Sequence, residues 1–434
     1  MTTTLTFDSE NQHLNRKRWR YLILGVLCML MIANMQYAWT LFVLPLHAAH
    51  GWNIAAIQLA FTAFVALETW GTPVAGWVAD KLPPAIGPRI VIGVGGVLVA
   101  LGWSILSWAE SLPLLYLGGA VSGVGAGAAY TTCVGVAAKW FKDHRGLAVG
   151  LIAAGYGVGT VLTVIPIRMV IAASGYQSAF LWFGLMAGAV VLISSQFIRA
   201  PYPGEAPEVK AVGRRQTGQS YSPSQVLREP VFWILYLLDF MMCAGGLVVA
   251  GGLAPIAQSF GVANVMIWGA MATVSVALIF SNICNGVARP FFGWVSDRIG
   301  NTTTMVIAFS LGAVSYYLLS VAGHHPLGFI LFAGAIFFTW GEIFSLFPAT
   351  CTDLFGQKHA TTNLSMLYTA KGCAAFLVPL GTPAFFGSWN HVLYTAAGIN
   401  AVAIILVLTV LRPAEHRHHT TQDVAPTAAV PRST

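Results

Sequence analysis

The sequence predicts an all-α membrane protein: twelve transmembrane helices in two six-helix halves related by pseudo-two-fold symmetry. Three observations carry this. Of 434 residues, 56% are hydrophobic and only 9% are charged, whereas a soluble domain carries about 25% charged residues. So few charges cannot cover a water-facing surface. The apolar residues gather into twelve runs, each near the roughly 20 residues needed to cross a hydrocarbon core of about 30 Å. Finally, one stretch near the end of the second run recurs near the end of the eighth, half a chain length later.

Span 1 covers about 21–46 and follows a polar stretch ending in NRKRWR. It is too long for the apolar core of a cleavable signal, and none is expected. Span 2 covers 53–79 and leads to Lys81 and Arg89; spans 3 and 4 cover 90–109 and 112–138 and lead to Lys139, Lys142 and Arg145. Spans 5 and 6 cover 146–172 and 176–198. The polar stretch 200–228, APYPGEAPEVKAVGRRQTGQSYSPSQVLR, is rich in Pro, Gly and charge and reads as a solvated linker. It separates an N-terminal half, 1–199, from a C-terminal half with a short tail, 229–434. Spans 7 and 8 cover 229–260 and 265–296 and lead to Arg298; spans 9 and 10 cover 303–322 and 327–350 and lead to Lys358. Spans 11 and 12 cover 360–386 and 390–411, followed by Arg412, Arg417 and Arg432.

All but three of the 22 Lys and Arg residues therefore fall on one side, with none in the loops that follow odd-numbered spans. By the positive-inside rule both termini are cytoplasmic, in a multi-pass protein of the inner membrane of a cell. The net charge of +7 is thus a topology signal, and the lipid bilayer, not nucleic acid, is the expected partner. The six cysteines lie in or at the ends of apolar spans with no disulfide or zinc spacing. No metal, cofactor or His/Cys catalytic constellation is expected, so an enzyme is not the reading. A monomer is expected.

The three exceptions are Arg168, Arg289 and Lys371. Arg168 lies about one turn from the outer loop, close enough to snorkel. Arg289 and Lys371 are deep, at about 12 Å and 16 Å along their helices from the cytoplasmic ends. A central Arg or Lys costs about 2.5–3.5 kcal/mol on insertion scales, so two of them call for a partner. Arg289 also stands in the repeat: TPVAGWVADK (72–81) aligns without gaps on RPFFGWVSDR (289–298). Gly76 and Asp80 match Gly293 and Asp297, Lys81 matches Arg298, and Thr72 stands where the second copy has Arg289. The glycine permits close helix approach, and the aspartate can cap a neighbouring helix N-terminus. Broken on one face at a time, such a contact is a gate. The first half accepts an uncharged residue at this position, which points to a binding role for Arg289 rather than a structural one.

Gly293 to Gly300 resembles the signature loop of the major facilitator superfamily, Gly-x-x-x-Asp-[Arg/Lys]-x-Gly; the first copy departs from it after Lys81. Within that superfamily, KWFKDHRGLAVGLIAAGYGVG (139–159), NMQYAWTLF (34–42), FFTWGEIFSLFP (337–348) and LYTAK (367–371) resemble the oxalate:formate antiporter family, which is related to the monocarboxylate transporters. The resemblance implies that Arg289 and Lys371 bind a substrate's two carboxylates. It also implies that Tyr37, Tyr156, Trp340 and Tyr368 line the cavity, with Gln36 at a polar cavity position.

That pairing has a physical logic. Arg binds one carboxylate bidentately, Lys offers a point charge to a second, and aromatic faces sandwich a flat anion. Two intramembrane carboxylates depart from the family pattern. Glu68 stands where glutamine is the rule, and Glu342 where a small residue is. Asp239 is a third, placed nearer the outer half, and Phe344 replaces a tyrosine. Glu342 could neutralise Lys371 or Arg289, or either glutamate could carry a coupled proton. Monocarboxylate transporters carry an aspartate four residues before the span 8 arginine, where this chain has Asn285. Three functions stay open: exchange of small carboxylates of the oxalate:formate type, proton-coupled symport of a monocarboxylate such as formate, lactate or pyruvate, and an anion sensor that does not transport.

Overall fold

The computed structural model describes residues 2–141, 145–206, 221–267, 269, 271–356 and 359–415. Lys142, Lys358, the middle of the expected linker (207–220) and the basic tail from 416 lie outside the described residues. The regular structure of the described chain is helical except for a two-stranded antiparallel hairpin, Met266–Ile267 with Met271–Ala272, in the connection after span 7. The apolar-run reading did not anticipate that hairpin.

Among the described residues, ten helices are long and apolar enough to cross a membrane. Spans 5 and 11, which no single one of these helices represents, bring the count to twelve. The helix Val164–Ser195 holds Gly175 at φ +83°, a left-handed turn where one span ends and the next begins. The two remaining spans are broken into short pieces. Span 5 comprises Arg145–Gly157, a turn, and the start of Val164–Ser195; span 11 comprises Ala360–Ala375 and Leu377–Leu380.

Breaks concentrate in particular spans. Span 1 is interrupted at Ala33 and Trp39, giving Thr2–Ile32, Asn34–Ala38 and Thr40–His50. Span 2 is divided at Gly71 into Ile54–Trp70 and Thr72–Lys81, and span 10 at Glu342 into Pro326–Gly341 and Ile343–Phe355. Spans 3 (Gly87–Ser107), 4 (Leu112–Trp140), 7 (Pro230–Ser259), 8 (Thr273–Ile299) and 9 (Asn301–Ala322) run unbroken, and span 12 (Trp389–Leu406) ends in a π turn, Val407–Leu411. Irregular backbone at membrane depth is tolerated only where protein or a cavity lines it. The breaks therefore mark the helices that face the centre.

Among the described residues, the halves meet chiefly along span 2 with span 11, span 5 with span 8, and span 1 with span 7. Glycine sets the depth of two packings. Gly119, Gly123 and Gly127 of span 4 lie against the carbonyls of Ala60, Phe64 and Glu68. A Cβ at Gly127 would come within 2.1 Å of the Glu68 carbonyl oxygen. Only glycine lets these backbones touch, and the contact fixes where Glu68 sits. Between the halves, Gly157 packs on Gly286, one turn before Arg289.

Twelve spans place both ends of the described chain on one face of the bundle, here the basic face. On it, Arg199 and Glu205 form a two-pronged ion pair, at 2.7 Å (Nη1 to Oε2) and 2.5 Å (Nη2 to Oε1). Trp140 Nε1 donates to the Arg199 carbonyl at 2.8 Å, tying the end of span 6 to span 4. The Arg199 hydrogen bonds hold the Glu205 carboxyl below its ordinary range.

Candidate functional site

The residues singled out from the sequence converge at the middle of the bundle. Gln36 and Tyr37 sit on the short piece Asn34–Ala38, Glu68 near the end of Ile54–Trp70, and Tyr156 at the end of the first piece of span 5. From the other half come Arg289, Trp340, Tyr368 and Lys371. Gln36, Glu68, Glu342 and Lys371 have no exposed surface, and Tyr37, Tyr156, Arg289 and Trp340 have 4% or less. Tyr368 is half-buried.

Six aromatic rings close a loop around this point. Tyr37 meets Trp340 at 6.1 Å between centroids, Trp340 meets Phe344 at 6.2 Å, and Phe344 meets Tyr368 at 6.5 Å. Tyr368 stacks on Tyr130 at 5.8 Å, Tyr130 meets Tyr156 at 5.4 Å, and Tyr156 returns to Tyr37 at 5.8 Å. Each half supplies three rings. Only the Tyr37–Trp340 and Tyr130–Tyr368 links of this loop cross between halves, so separation of the halves must break both. Tyr130 escaped the sequence reading because it ends a glycine-rich run that reads as helix packing.

The two cations are treated differently. Lys371 Nζ donates to Glu68 Oε2 at 2.9 Å, to Gln36 Oε1 at 2.8 Å and to the Tyr368 hydroxyl at 3.2 Å. An ammonium has three donors, and all three are used. Glu68 Oε1 in turn accepts from the Tyr156 hydroxyl at 2.8 Å. The lysine's counter-charge is thus Glu68, not Glu342.

Arg289 has no carboxylate within ion-pair distance among the described residues. Its Nη1 donates to the Ala153 carbonyl at 2.5 Å, and its Nη2 to Asn285 Oδ1 at 3.1 Å and the Tyr37 hydroxyl at 3.4 Å. The guanidinium lies 4.0 Å from the centre of the Phe344 ring. Nε of Arg289, Nε2 of Gln36 and Nε1 of Trp340 are buried donors without a partner among the described residues. Together they make an electropositive, donor-rich, water-shielded enclosure, which is the chemistry of an anion site.

Glu342 neutralises neither cation. It stands at the break in span 10 with both carboxyl oxygens buried and without a hydrogen-bond partner among the described residues. Asp239 accepts only a long contact from the Cys243 thiol, at 3.6 Å. It lies about 14 Å along span 7 from the basic-face end at Pro230. That places it in the basic-face half of the bundle, correcting its expected place nearer the other face.

The repeat is preserved in local structure. Lys81 lies 3.9 Å from the Trp77 ring centre, and Arg298 lies 3.8 Å from that of Trp294. Asp80 pairs with Lys139 at 2.5 Å at the end of span 4 rather than with a helix N-terminus. Gly76 approaches Thr131, Gly293 approaches Ser345, and Asp297 is also engaged. Away from the basic face, Arg168 does more than reach an interface. It donates to Ser275 Oγ at 2.9 Å and Asn264 Oδ1 at 3.0 Å, both in the other half. On that same far side, Thr40 accepts from Ala254 N at 2.7 Å, Gln58 donates to the Gly251 carbonyl at 2.8 Å, and Thr62 donates to that of Ala375 at 2.8 Å. Among the described residues, the side-chain hydrogen bonds joining the halves outside the site lie on the far side, apart from Trp70 Nε1 to the Thr369 carbonyl.

Comparison with known proteins agrees with this architecture. Residues 22–284 and 253–433 match the family described as Major Facilitator Superfamily. The chain is 34% identical over 394 residues to the oxalate:formate antiporter of Oxalobacter formigenes, covering 90% of this chain and 88% of that protein. It is 24% identical over 360 residues to the uncharacterised MFS-type transporter YhjX of Escherichia coli, covering 82% and 85%. It is 28% identical over 222 residues to human monocarboxylate transporter 11, covering 51% and 45%.

Proposed function

The chain belongs to the Major Facilitator Superfamily, and on that premise we propose that it exchanges small carboxylate anions across a membrane by alternating access. The observation that carries the reading is Arg289, a buried cation inside a closed aromatic loop with no counter-carboxylate among the described residues. A carboxylate supplies the missing charge and accepts from the guanidinium in two-pronged geometry. The similarity to an oxalate:formate antiporter supports a small carboxylate and an exchange mode. The N-terminal half 1–199 and the C-terminal half 229–434 rock about the site, with the linker 200–228 and both termini in the cytoplasm. Binding the anion removes the net charge that opposes reorientation, so the loaded form turns over and the empty one lags. No cofactor enters the cycle.

Purified protein in proteoliposomes loaded with formate or oxalate tests this. Uptake of labelled carboxylate should require an internal carboxylate and ignore an imposed pH gradient. Binding without flux would mean a sensor.

Glu342 favours a second reading, proton-coupled symport of a monocarboxylate. A buried carboxylate without donor or cation is costly as an anion and far less so as the acid. Proton coupling predicts uptake into empty vesicles driven by external acid, and loss of that drive in Glu342→Gln.

A further inference from the structure

We infer that Glu68 acts as a built-in counter-carboxylate for Lys371 and so sets the substrate's charge, making the site selective for monocarboxylates over dicarboxylates. The inference rests on the proposed carboxylate site and names the substrate class within it.

Lys371 has no donor left for a second substrate carboxylate. Its three hydrogens go to Glu68, Gln36 and Tyr368. Glu68 is bonded at both oxygens, by Lys371 and by Tyr156, and its backbone is pinned on Gly127. The pair is fully buried on both sides. Charges at the centre then cancel except for one. Lys371 and Glu68 neutralise each other, Glu342 and Asp239 have no cation within ion-pair distance among the described residues to support an anion, and Arg289 remains.

A monoanion neutralises Arg289 and completes the enclosure. A dianion has two options, both costly. It can displace Glu68 from Lys371, which leaves a buried carboxylate unpaired, or it can bury its own second carboxylate with no free cation. The internal repeat sharpens the point. Extending its register one turn upstream sets Glu68 of span 2 against Asn285 of span 8. Span 2 therefore carries an acid and a neutral Thr72, while span 8 carries a neutral amide and the cation Arg289. The lysine of span 11 faces the acid. The arginine faces no carboxylate among the described residues.

The test is equilibrium binding of formate, lactate, oxalate and malonate to the purified full chain. The proteins are wild type, Glu68→Gln and the double variant Glu68→Gln/Lys371→Gln. Wild type should bind the monoanions more tightly. Glu68→Gln frees Lys371 and should shift the formate-to-oxalate ratio of dissociation constants toward oxalate by at least about tenfold, about 1.4 kcal/mol. The double variant should return the preference to the monoanions, and it decides the matter if Glu68→Gln does not fold. A wild type that prefers oxalate, an unchanged ratio in folded Glu68→Gln, or a folded double variant that binds no carboxylate each overturns the role of Glu68. In these cases wild-type binding still stands, so the carboxylate reading survives. A wild type that binds none of the four overturns that reading and this inference together.

Discussion

Arg289 and Lys371 share one aromatic enclosure and nearly equal burial, yet they obey different rules. Lys371 is held by protein: one carboxylate, one amide and one hydroxyl absorb its three donors. Arg289 is held by neutral oxygens and a ring face, and its Nε has no partner among the described residues. The first arrangement is that of a structural ion pair, in which losing one partner leaves the other stranded. The second is that of a binding group whose full compensation comes from outside. On the proposed reading, two cations that look equivalent in sequence divide the work between holding the halves together and holding the anion.

The largest break in this comparison comes from Arg289→Gln. If Arg289 carries the anion, uptake in proteoliposomes should fall by about a hundredfold or more, the scale of a lost buried charge contact. Thermal unfolding in detergent should change less than in Lys371→Gln, because the partners left behind are a carbonyl, an amide and a hydroxyl rather than a carboxylate. Lys371→Gln should behave in the opposite sense. It strands Glu68 and should destabilise the protein by about 3–5 kcal/mol, read as a lowered Tm. Adding Glu68→Gln should restore much of that loss. Equal Tm losses in Arg289→Gln and Lys371→Gln would collapse the distinction.

How much of this was legible beforehand follows from the same contrast. The spans, the sidedness of charge and the depth of both cations depend on composition and on position along a helix, which a single sequence records. Pairing depends on helix azimuth and on contacts across hundreds of residues. Nothing in LYTAK says that its lysine meets a glutamate 303 positions away. The register of the repeat held a partial signal, since it sets Glu68 opposite Asn285, one turn before the cation position. The apolar runs also hid the breaks at Ala33, Trp39, Gly71 and Glu342, because a local change in backbone direction leaves hydropathy intact. Tyr130 was missed for a related reason: a glycine stripe announces packing but not which way the tyrosine at its end points.

A smaller perturbation probes the Lys371 side alone. Tyr156→Phe removes the hydroxyl that donates to Glu68 Oε1 at 2.8 Å. Leaving that oxygen short of a donor should cost about 1–3 kcal/mol of stability. The formate-to-oxalate preference should persist, because no charge has changed. A loss of preference equal to that of Glu68→Gln would show that the hydroxyl, not the carboxylate charge, sets selectivity.

The weakest expected effect lies outside the membrane and serves as the exposed counterpart of the buried pair. Glu205 and Arg199 are bonded at two points, but their side chains keep 21% and 15% of their surface. Solvent screens them, so Glu205→Gln should cost about 1 kcal/mol or less near neutral pH. The sign of its pH dependence follows from the hydrogen bonds of Arg199, which hold the Glu205 carboxyl below its ordinary value of 4.5. A depressed folded value means the contribution is fully present above 4.5 and is lost as pH falls through the folded value. Tm measured from pH 7 to pH 3 should therefore show a constant gap between wild type and Glu205→Gln down to about pH 5. Below that the gap should close. A gap that closes well above pH 5 would mean that the ion pair is not what separates the two proteins.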